Sequence, residues 1–383
     1  MTLIILFFLS FSTLLAQSRI DGQIIDSSTR NPLVGVNIFF SKTSMGTTTD
    51  ENGFYSFKNI PKGRYEMVIS MIGYKMDKVN VNLFEEDRLK MNFRLISEPI
   101  KMKEIEVSSK SNKQWKKDYK LFKKQFLGTS LNGESCRILN EYVLSFSRDG
   151  NIFSAEALQP LEIENRRLGY ILTYYLDEFK IDKIYTKFSG EFFFAEMEPI
   201  NERQAKKWKK NRKKAYFGSL RHFLSTLGKR FDMRFQKTVL GFEERDNWKS
   251  IKGRKLDPLI NEGFTVLLSK RLDPKEFYAD DKLYRSLKND TLVTGTIIDS
   301  ELELSFNGKM KIIYRKESEE NNYSMDRRKK IESTQTSYLI LKKGSVVFDK
   351  KGRYFELYMI EQQGYTAWER VGERLPLDYY RFQ

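Results

Sequence analysis

The sequence predicts a mainly β protein in two parts: a small antiparallel sandwich, then a larger antiparallel α+β domain that carries two basic helices. Three observations lead to this prediction. Short runs of alternating apolar and polar residues, separated by turn residues roughly every ten positions, fill residues 17–107. Further strand-like runs fill much of residues 129–383. Two lysine-rich segments with helical spacing lie outside these runs.

The first part is marked by turns and by an alternation of period two. Residues 50–53 (DENG) and 61–63 (PKG) are typical turn sequences. After the second turn, Tyr65, Met67 and Ile69 alternate with residues of the opposite face. This spacing places one set of side chains on each face of a strand, as a thin sandwich requires.

Two stretches of this part carry a family resemblance. GQIIDSSTRNPLVGVNIFF (22–40) and GTTTDENGFYSFKNIPKGRYEMVISMIGYK (46–75) resemble the carboxypeptidase regulatory-like domain. The resemblance implies a transthyretin-like sandwich over residues 17–107 that serves as an accessory module and not as a catalytic domain. The arrangement of the whole chain resembles bacterial envelope proteins that contain this domain and whose function is unknown.

The N-terminus predicts export. Residues 1–16 (MTLIILFFLSFSTLLA) form an uncharged apolar run that ends in small residues before Gln17. The run is too short to span a bilayer comfortably and is typical of a signal peptide cut after Ala16. We therefore expect a periplasmic or outer-membrane-associated protein.

The net charge of +16 is concentrated in two segments. Residues 108–126 hold seven basic residues against one acidic residue, and residues 201–230 hold eleven against one. Aromatic residues at helical spacing predict a linker helix over 108–128, with Gly128 as its stop. The second segment predicts a helix that Asn201 caps and Gly228 ends. Gly218 in its middle has a low helix propensity and disfavours the helix slightly.

The remaining chain predicts an antiparallel α+β domain over residues 129–383. The predicted strands are Ile138–Phe146, Leu168–Phe179, Phe188–Met197, Phe264–Leu268, Leu292–Ile298, Leu302–Phe306, Lys309–Tyr314, Tyr338–Leu341 and Tyr354–Ile360. Asn307-Gly308 and Lys343-Gly344 are typical hairpin turns. The polar residues 317–334 predict a loop.

The supply of reactive residues argues against an enzyme. The chain has one histidine, His222, and one cysteine, Cys136. A metallocarboxypeptidase needs about three His or Glu zinc ligands, and one histidine cannot supply them. We expect a packed helical His222, a buried Cys136, no metal and no cofactor.

Paired carboxylates leave one alternative, an envelope glycan hydrolase. The candidates lie in two short segments: Glu162, Glu164, Glu191, Glu196 and Glu198. Since acidic residues are numerous, we expect these side chains to be solvated carboxylates near strand ends.

The preferred hypothesis is a non-catalytic envelope binding or scaffold protein. KKWKKNRKK (206–214) places seven cations around one tryptophan. We predict that this helix binds an anionic surface through Lys206, Lys207, Trp208, Lys209, Lys210, Arg212, Lys213 and Lys214. The partner is an anionic lipid or lipopolysaccharide surface, or an envelope protein or glycan, and the predicted export disfavours nucleic acid. A solvated helix face without a partner is the other interpretation.

Overall fold

The computed structural model describes residues 18–84, 87–98, 109–239, 257–269, 285–286, 292–298, 300–355 and 358–379. The predicted signal peptide at residues 1–16 lies outside the described residues, and so does the predicted boundary at residue 107. Contacts between Cα atoms divide the chain into two compact units. The first unit comprises residues 1–41 and 45–102, and the second comprises residues 42–44 and 103–383.

The first unit is a β-sandwich of two four-stranded sheets. Its strands are β1 (Ser18–Asp26), β2 (Asn37–Phe40), β3 (Gly46–Thr48), β4 (Phe54–Ile60), β5 (Arg64–Ser70), β6 (Asp77–Asn82), β7 (Arg88–Lys90) and β8 (Phe93–Leu95). One sheet has the order β4-β1-β7, with β8 also paired to β1, and the other has the order β3-β2-β5-β6. Apolar residues that alternate along the strands form its core, among them Ile20, Ile38 and Ile69. This core confirms the predicted sandwich.

Strand β1 departs from the predicted antiparallel arrangement. It runs antiparallel to β4 but parallel to β7 and β8. Each of the two parallel partners is three residues long. Strands this short carry no directional signal in their sequence, so their orientation follows from the return of the chain from β6 to the sheet that contains β1.

The second unit begins with a six-stranded antiparallel sheet. The elements of this part are α1 (Ser109–Leu127), α2 (Leu131–Glu134), β9 (Cys136–Ile138), β10 (Leu144–Asp149), β11 (Ile152–Ala157), β12 (Leu161–Asn165), β13 (Tyr170–Ile181) and β14 (Thr186–Glu196). The sheet order is β10-β11-β13-β12-β9, with β14 paired along β13. The predicted strand over residues 138–146 is wrong, because a 3₁₀ helix at Glu141–Val143 separates β9 from β10.

Helix α1 packs its aromatic face on this sheet, and this confirms the first basic helix. Phe122 and Phe126 are fully buried. The Phe122 ring lies 4.7 Å from Phe179, and the Phe126 ring lies 5.0 Å from Tyr174, between centroids. Gly128 takes a φ of 93°, in the left-handed region that ends helices. Aromatic burial therefore fixes the helix, and its lysines remain on the outside.

The predicted helix over residues 201–228 is two helices. Asn201 caps α3 (Glu202–Tyr216) as expected, by accepting a hydrogen bond from the Gln204 N–H. Gly218 then adopts a φ of 79°, and α4 (Leu220–Val239) begins after it. The chain turns here because a left-handed residue cannot continue a right-handed helix. Across the described ranges, no helix is long and apolar enough to cross a membrane.

The rest of the second unit contains two further antiparallel sheets. Its elements are α5 (Pro258–Glu262), β15 (Phe264–Ser269), β16 (Arg285–Ser286), β17 (Val293–Gly295), β18 (Glu301–Ser305), β19 (Lys309–Tyr314), α6 (Asn321–Arg327), β20 (Gln335–Leu341), β21 (Ser345–Asp349), β22 (Ile360–Gly364) and α7 (Tyr365–Trp368). One sheet has the order β16-β15-β19-β20-β22, and the other has the order β17-β18-β21. Residues of both sheets and of α4 share one core.

Several local predictions fail in this part. Asn307-Gly308 and Lys343-Gly344 are not hairpin turns, because each joins strands of different sheets. Of the predicted strand 354–360, residues 356 and 357 lie outside the described residues; Tyr354 makes an isolated bridge, and β22 begins at Ile360. Strand β21 was not predicted, and the predicted loop at 317–334 contains α6. Turn chemistry identifies a bend but not the strands that the bend connects.

The C-terminal segment returns to the first sheet of this unit. Val371 and Leu375 pack in the core beneath α1. Asn165 Nδ2 donates a hydrogen bond to the Gly372 carbonyl at 2.9 Å. This return brings residues 365–377, which follow β22, into contact with elements far earlier in the chain.

Candidate functional site

Helix α3 is held by hydrogen bonds to one turn. Trp208 Nε1 donates to the carbonyl of Arg166 at 2.8 Å, and Asn211 Nδ2 donates to the carbonyl of Arg167 at 2.8 Å. The Arg212 guanidinium donates to the carbonyls of residues 168 and 169 at 2.7 and 3.1 Å. Four consecutive carbonyls are thus satisfied by side chains of one helix face.

Two residues of the set predicted to bind the anionic surface are therefore held against the 166–169 turn. Trp208 is 5% exposed and lies on the inner side of α3. Arg212 also pairs with Glu196 at 3.1 Å and lies over the Tyr170 ring at 3.9 Å from its centroid. The prediction that Arg212 binds an external anion is corrected, because its donors are occupied within the protein.

The six lysines of α3 face outward and are called here the α3 lysine face. Its members, all exposed, are Lys206, Lys207, Lys209, Lys210, Lys213 and Lys214. Lys206 lies 3.5 Å from Glu202 and Lys214 lies 3.1 Å from Glu320, so two of the six have acidic partners. For the other four, no hydrogen bond or ion pair with a described residue is present.

The single histidine and the single cysteine are both buried and both make hydrogen bonds within the protein. His222 is 1% exposed near the start of α4, where its Nδ1 accepts a hydrogen bond from the Gly218 N–H at 3.2 Å. Cys136 is buried, and its Sγ lies 3.3 Å from the Asn132 carbonyl. Burial raises the pKa of Cys136 to about 12, which leaves the thiol protonated. Within the described ranges, no group of three or more His, Cys, Asp or Glu side chains is placed to hold a metal.

A cavity of about 590 Å³ lies within the second unit. Its walls come from β13 and β14, from the junction of α3 with α4, and from the C-terminal segment. Aromatic side chains such as Tyr174, Phe188 and Tyr216 line it together with charged residues. The volume is in the range of small-molecule sites.

Most charged groups that line this cavity are already paired. Glu178 accepts from Lys187 at 2.9 Å and from the Tyr358 hydroxyl at 2.9 Å. The bond from Lys187 is the largest cause that holds the pKa of Glu178 at about 2. The Arg221 guanidinium donates to four backbone carbonyls at 2.6 to 3.2 Å. These groups shape the wall and are not available to a ligand.

Some polar groups of the C-terminal segment are different. Among them, Thr366, Glu369 and Arg370 line the cavity, and their side chains make no hydrogen bond or ion pair with the part of the chain that the structure describes. Sequence reasoning missed them, because one threonine, one glutamate and one arginine form no motif. Only the return of the C-terminal segment brings them to a cavity.

The predicted carboxylate pairs do not form. Glu162 and Glu164 lie side by side on β12, not opposite each other across a cavity. Glu162 accepts from Thr173 Oγ1 at 3.1 Å, and Glu164 pairs with Arg166 at 2.7 Å. Burial raises the pKa of Glu162, but neither Glu162 nor Glu164 is among the residues that line the cavity.

The three other candidates are also dispersed. Glu191 is buried in β14, where it is paired in register with Tyr175 of β13. Glu196 is bound to Arg212, and Glu198 is exposed beyond the end of the strand. None of the three lines the cavity.

Glu317 is a half-buried acid of the second unit. Burial raises its pKa from 4.5 to about 7, and the nearby Lys214 and Gln335 oppose the rise. Between these two pH values the folded state holds a proton that the unfolded chain has released. Because the folded state binds more protons there, stability falls as pH rises through this window.

Glu317→Gln is therefore expected to stabilise the protein at pH 8 and to have little effect near pH 5. The amide removes the cost of a buried charge and keeps an acceptor for Gln335. Urea unfolding at the two pH values measures the difference. Glu198→Gln, at an exposed site, should change stability by less than about 0.5 kcal/mol at both. Equal stabilisation of Glu317→Gln at both pH values would contradict the assigned titration.

Comparison with known families identifies the first unit. Residues 20–107 match the model of the CarboxypepD_reg-like domain, which confirms the resemblance in the sequence. The match covers less than half of the chain, so it defines this segment and not the rest. Comparison with curated proteins found no match.

Several solved structures are similar over a small part of the chain. The pilin BcpA of Bacillus cereus is 18% identical over 21% of this chain and 30% of its own, with a TM-score of 0.19. The pilus 2b backbone protein of group B streptococcus is 15% identical over 21% and 42%, also with a TM-score of 0.19. The 5-hydroxyisourate hydrolase of Klebsiella pneumoniae is 17% identical over 21% and 86%, with a TM-score of 0.18. Scores this low carry no argument about function.

Proposed function

We propose that this chain is a non-catalytic binding protein of the cell envelope, whose α3 lysine face attaches it to phosphate-bearing anionic lipid. One observation carries the proposal: four exposed lysines of α3 make no hydrogen bond or ion pair with the described residues. They are Lys207, Lys209, Lys210 and Lys213. The predicted export supports an envelope location, and the domain matched at residues 20–107 is a non-catalytic module.

The anchoring of α3 supports this function. Trp208, Asn211 and Arg212 fix the helix to the 166–169 turn, so the lysines are presented without any reordering of the backbone. Preorganised groups lose less entropy on binding. Near an anionic membrane each lysine contributes roughly 1 kcal/mol, so four free lysines are worth about 4 kcal/mol. Like charges so close together destabilise an isolated helix, and an anionic surface relieves that repulsion.

Co-sedimentation with vesicles tests the proposal. The full chain is expected to bind vesicles that contain phosphatidylglycerol or lipopolysaccharide, and not vesicles of phosphatidylcholine alone. Binding should weaken strongly as the screening length falls from about 10 Å at 0.1 M salt to about 3 Å at 1 M. Replacing the four free lysines by glutamine should reduce binding by two orders of magnitude or more, from roughly 1 kcal/mol for each charge.

The matched control removes the same charge elsewhere. Lys113, Lys116, Lys117 and Lys120 are exposed on α1, and their replacement by glutamine lowers the net charge equally. Both variants keep good helix formers. If the two variants lose binding to the same degree, attraction depends on total charge and the α3 lysine face is not a site. Binding to neutral vesicles would also contradict the proposal.

Glycan hydrolysis, the alternative, is less well supported. The carboxylates predicted for it do not meet across the cavity. Glu369 and Glu373 both line the cavity, but Glu373 already accepts hydrogen bonds from Ser130 Oγ and from Asn132 Nδ2. A general acid paired with a free base is therefore not formed by these two residues.

A further inference from the structure

We propose that the cavity of the second unit binds a small anionic sugar, a ligand with one carboxylate or phosphate and several hydroxyl groups. Thr366, Glu369 and Arg370 would hold it. This site is separate from the α3 lysine face and does not depend on the proposed membrane attachment.

The first argument is an unsatisfied hydroxyl. Thr366 is 7% exposed, and its Oγ1 has no hydrogen-bond partner among the described residues. Buried polar groups in folded proteins are nearly always hydrogen-bonded, and an unpaired one is costly. Thr366 lines the cavity but its Oγ1 is itself buried, so a molecule inside the cavity reaches this hydroxyl only once the side chain turns toward it.

The second argument is an unpaired guanidinium. Arg370 is half-buried, and in the described part of the chain it has neither an ion pair nor a side-chain hydrogen bond. Its guanidinium lies 5.9 Å from the centroid of the Phe188 ring. Burial and the neighbouring Arg374 lower the pKa of Arg370 to about 10, so it stays charged at neutral pH. A partly buried arginine of this kind fits a carboxylate or phosphate, which it binds through two parallel hydrogen bonds.

The third argument is an unpaired acid beside that cation. The Glu369 carboxyl also lacks a hydrogen bond or ion pair with any described residue. Burial, and then the nearby Glu373, hold the pKa of Glu369 well above its usual range. A protonated carboxyl both donates and accepts hydrogen bonds, as a sugar hydroxyl does. In its protonated form, which burial favours, it does not repel an anion bound at Arg370.

The segment that carries these groups is fixed on both sides. The Thr366 N–H donates to Ser337 Oγ at 3.0 Å, and Trp368 Nε1 donates to Thr129 Oγ1 at 2.8 Å. The backbone that carries the three side chains is thus held in place before any ligand arrives. Rings of Tyr174 and Tyr216 add apolar wall on which the carbon faces of a sugar can pack.

Calorimetric titration of the full chain tests the site with four probes: glucuronate, glucose 6-phosphate, glucose and acetate. At least one of the two sugar anions should bind, and whichever binds more tightly identifies the anionic group. Glucose should bind at least about tenfold more weakly, because it lacks the charged partner of Arg370. Acetate should also bind weakly, because it offers no hydroxyl groups. Failure of both sugar anions, or equal binding of glucose, would overturn the proposal.

Variants then assign the residues. Arg370→Gln should weaken binding of the sugar anion by about 10- to 100-fold, whereas Arg137→Gln, at an exposed site, should not change it. Glu369→Gln should retain binding, because the amide also donates and accepts. The α3 glutamine variant should bind the sugar normally, so failure of either proposal can be told from failure of the other.

Thr366→Val tests whether a ligand or a water molecule is the hydrogen-bond partner of the Thr366 hydroxyl. Valine has nearly the same shape and lacks the hydroxyl. If the ligand supplies the hydrogen-bond partner of Thr366, the variant without ligand should be at least as stable as the wild type. Its affinity for the sugar should be several-fold weaker. A destabilised variant with unchanged sugar affinity would show that water satisfies Thr366 and would remove this residue from the site.

Discussion

Gly169→Ala is expected to lower the free energy of unfolding by about 3 kcal/mol or more. Gly169 has a φ of 69°, which disfavours any side chain. A Cβ atom there would lie 2.3 Å from Trp208 Cδ2, well inside van der Waals contact. Trp208 cannot move away without losing its hydrogen bond to the Arg166 carbonyl. Urea unfolding followed by tryptophan fluorescence measures the loss, and all four tryptophans of the sequence fall within residues 103–383.

Gly150→Ala is the matched control for this change. Gly150 also has a positive φ, of 55°, but no atom lies within 4 Å of the Cβ position. Its replacement should cost only the backbone strain, about 1 kcal/mol.

A double-mutant cycle isolates the clash itself. In a Trp208→Ala background, Gly169→Ala should also cost only about 1 kcal/mol, because the opposing ring is gone. An equal cost in both backgrounds would show that the Trp208 ring does not constrain position 169.

Phe126→Ala is expected to cost about 3 to 5 kcal/mol, the usual loss for a large buried aromatic residue. Phe126 is fully buried and contacts four other rings. Its removal leaves a cavity between α1 and the sheet that rigid neighbours cannot refill. The same fluorescence-detected unfolding provides the measurement.

Lys116→Ala on the exposed side of α1 is the control for Phe126→Ala. It should change stability by less than about 0.5 kcal/mol, because the side chain is solvent-exposed and alanine favours helix. A loss below about 1 kcal/mol for Phe126→Ala would mean that α1 does not stabilise the sheet in the way that its burial indicates.

Local patterns in the sequence were enough to predict the mainly β fold, the sandwich and the two basic helices. Alternation of period two and helical spacing are repeated within a few residues, so they can be read without knowing the rest of the chain. The aromatic face of α1, with Phe122 and Phe126, and the cap at Asn201 are signals of this kind. The resemblance at residues 22–75 added the type of domain, since turn residues and core residues recur there together.

Tertiary structure alone decided which residues of the basic segment face solvent and which residues meet at the cavity. Trp208 and Arg212 lie among lysines in the sequence, but the carbonyls of residues 166–169 turn them inward. Thr366, Glu369 and Arg370 border a cavity only because the C-terminal segment packs against the sheet formed by β9 to β14. The same holds for the parallel pairing of β1 and for the strands joined at Asn307-Gly308. These features depend on contacts between distant segments, and such contacts leave no periodic trace in the residues that make them.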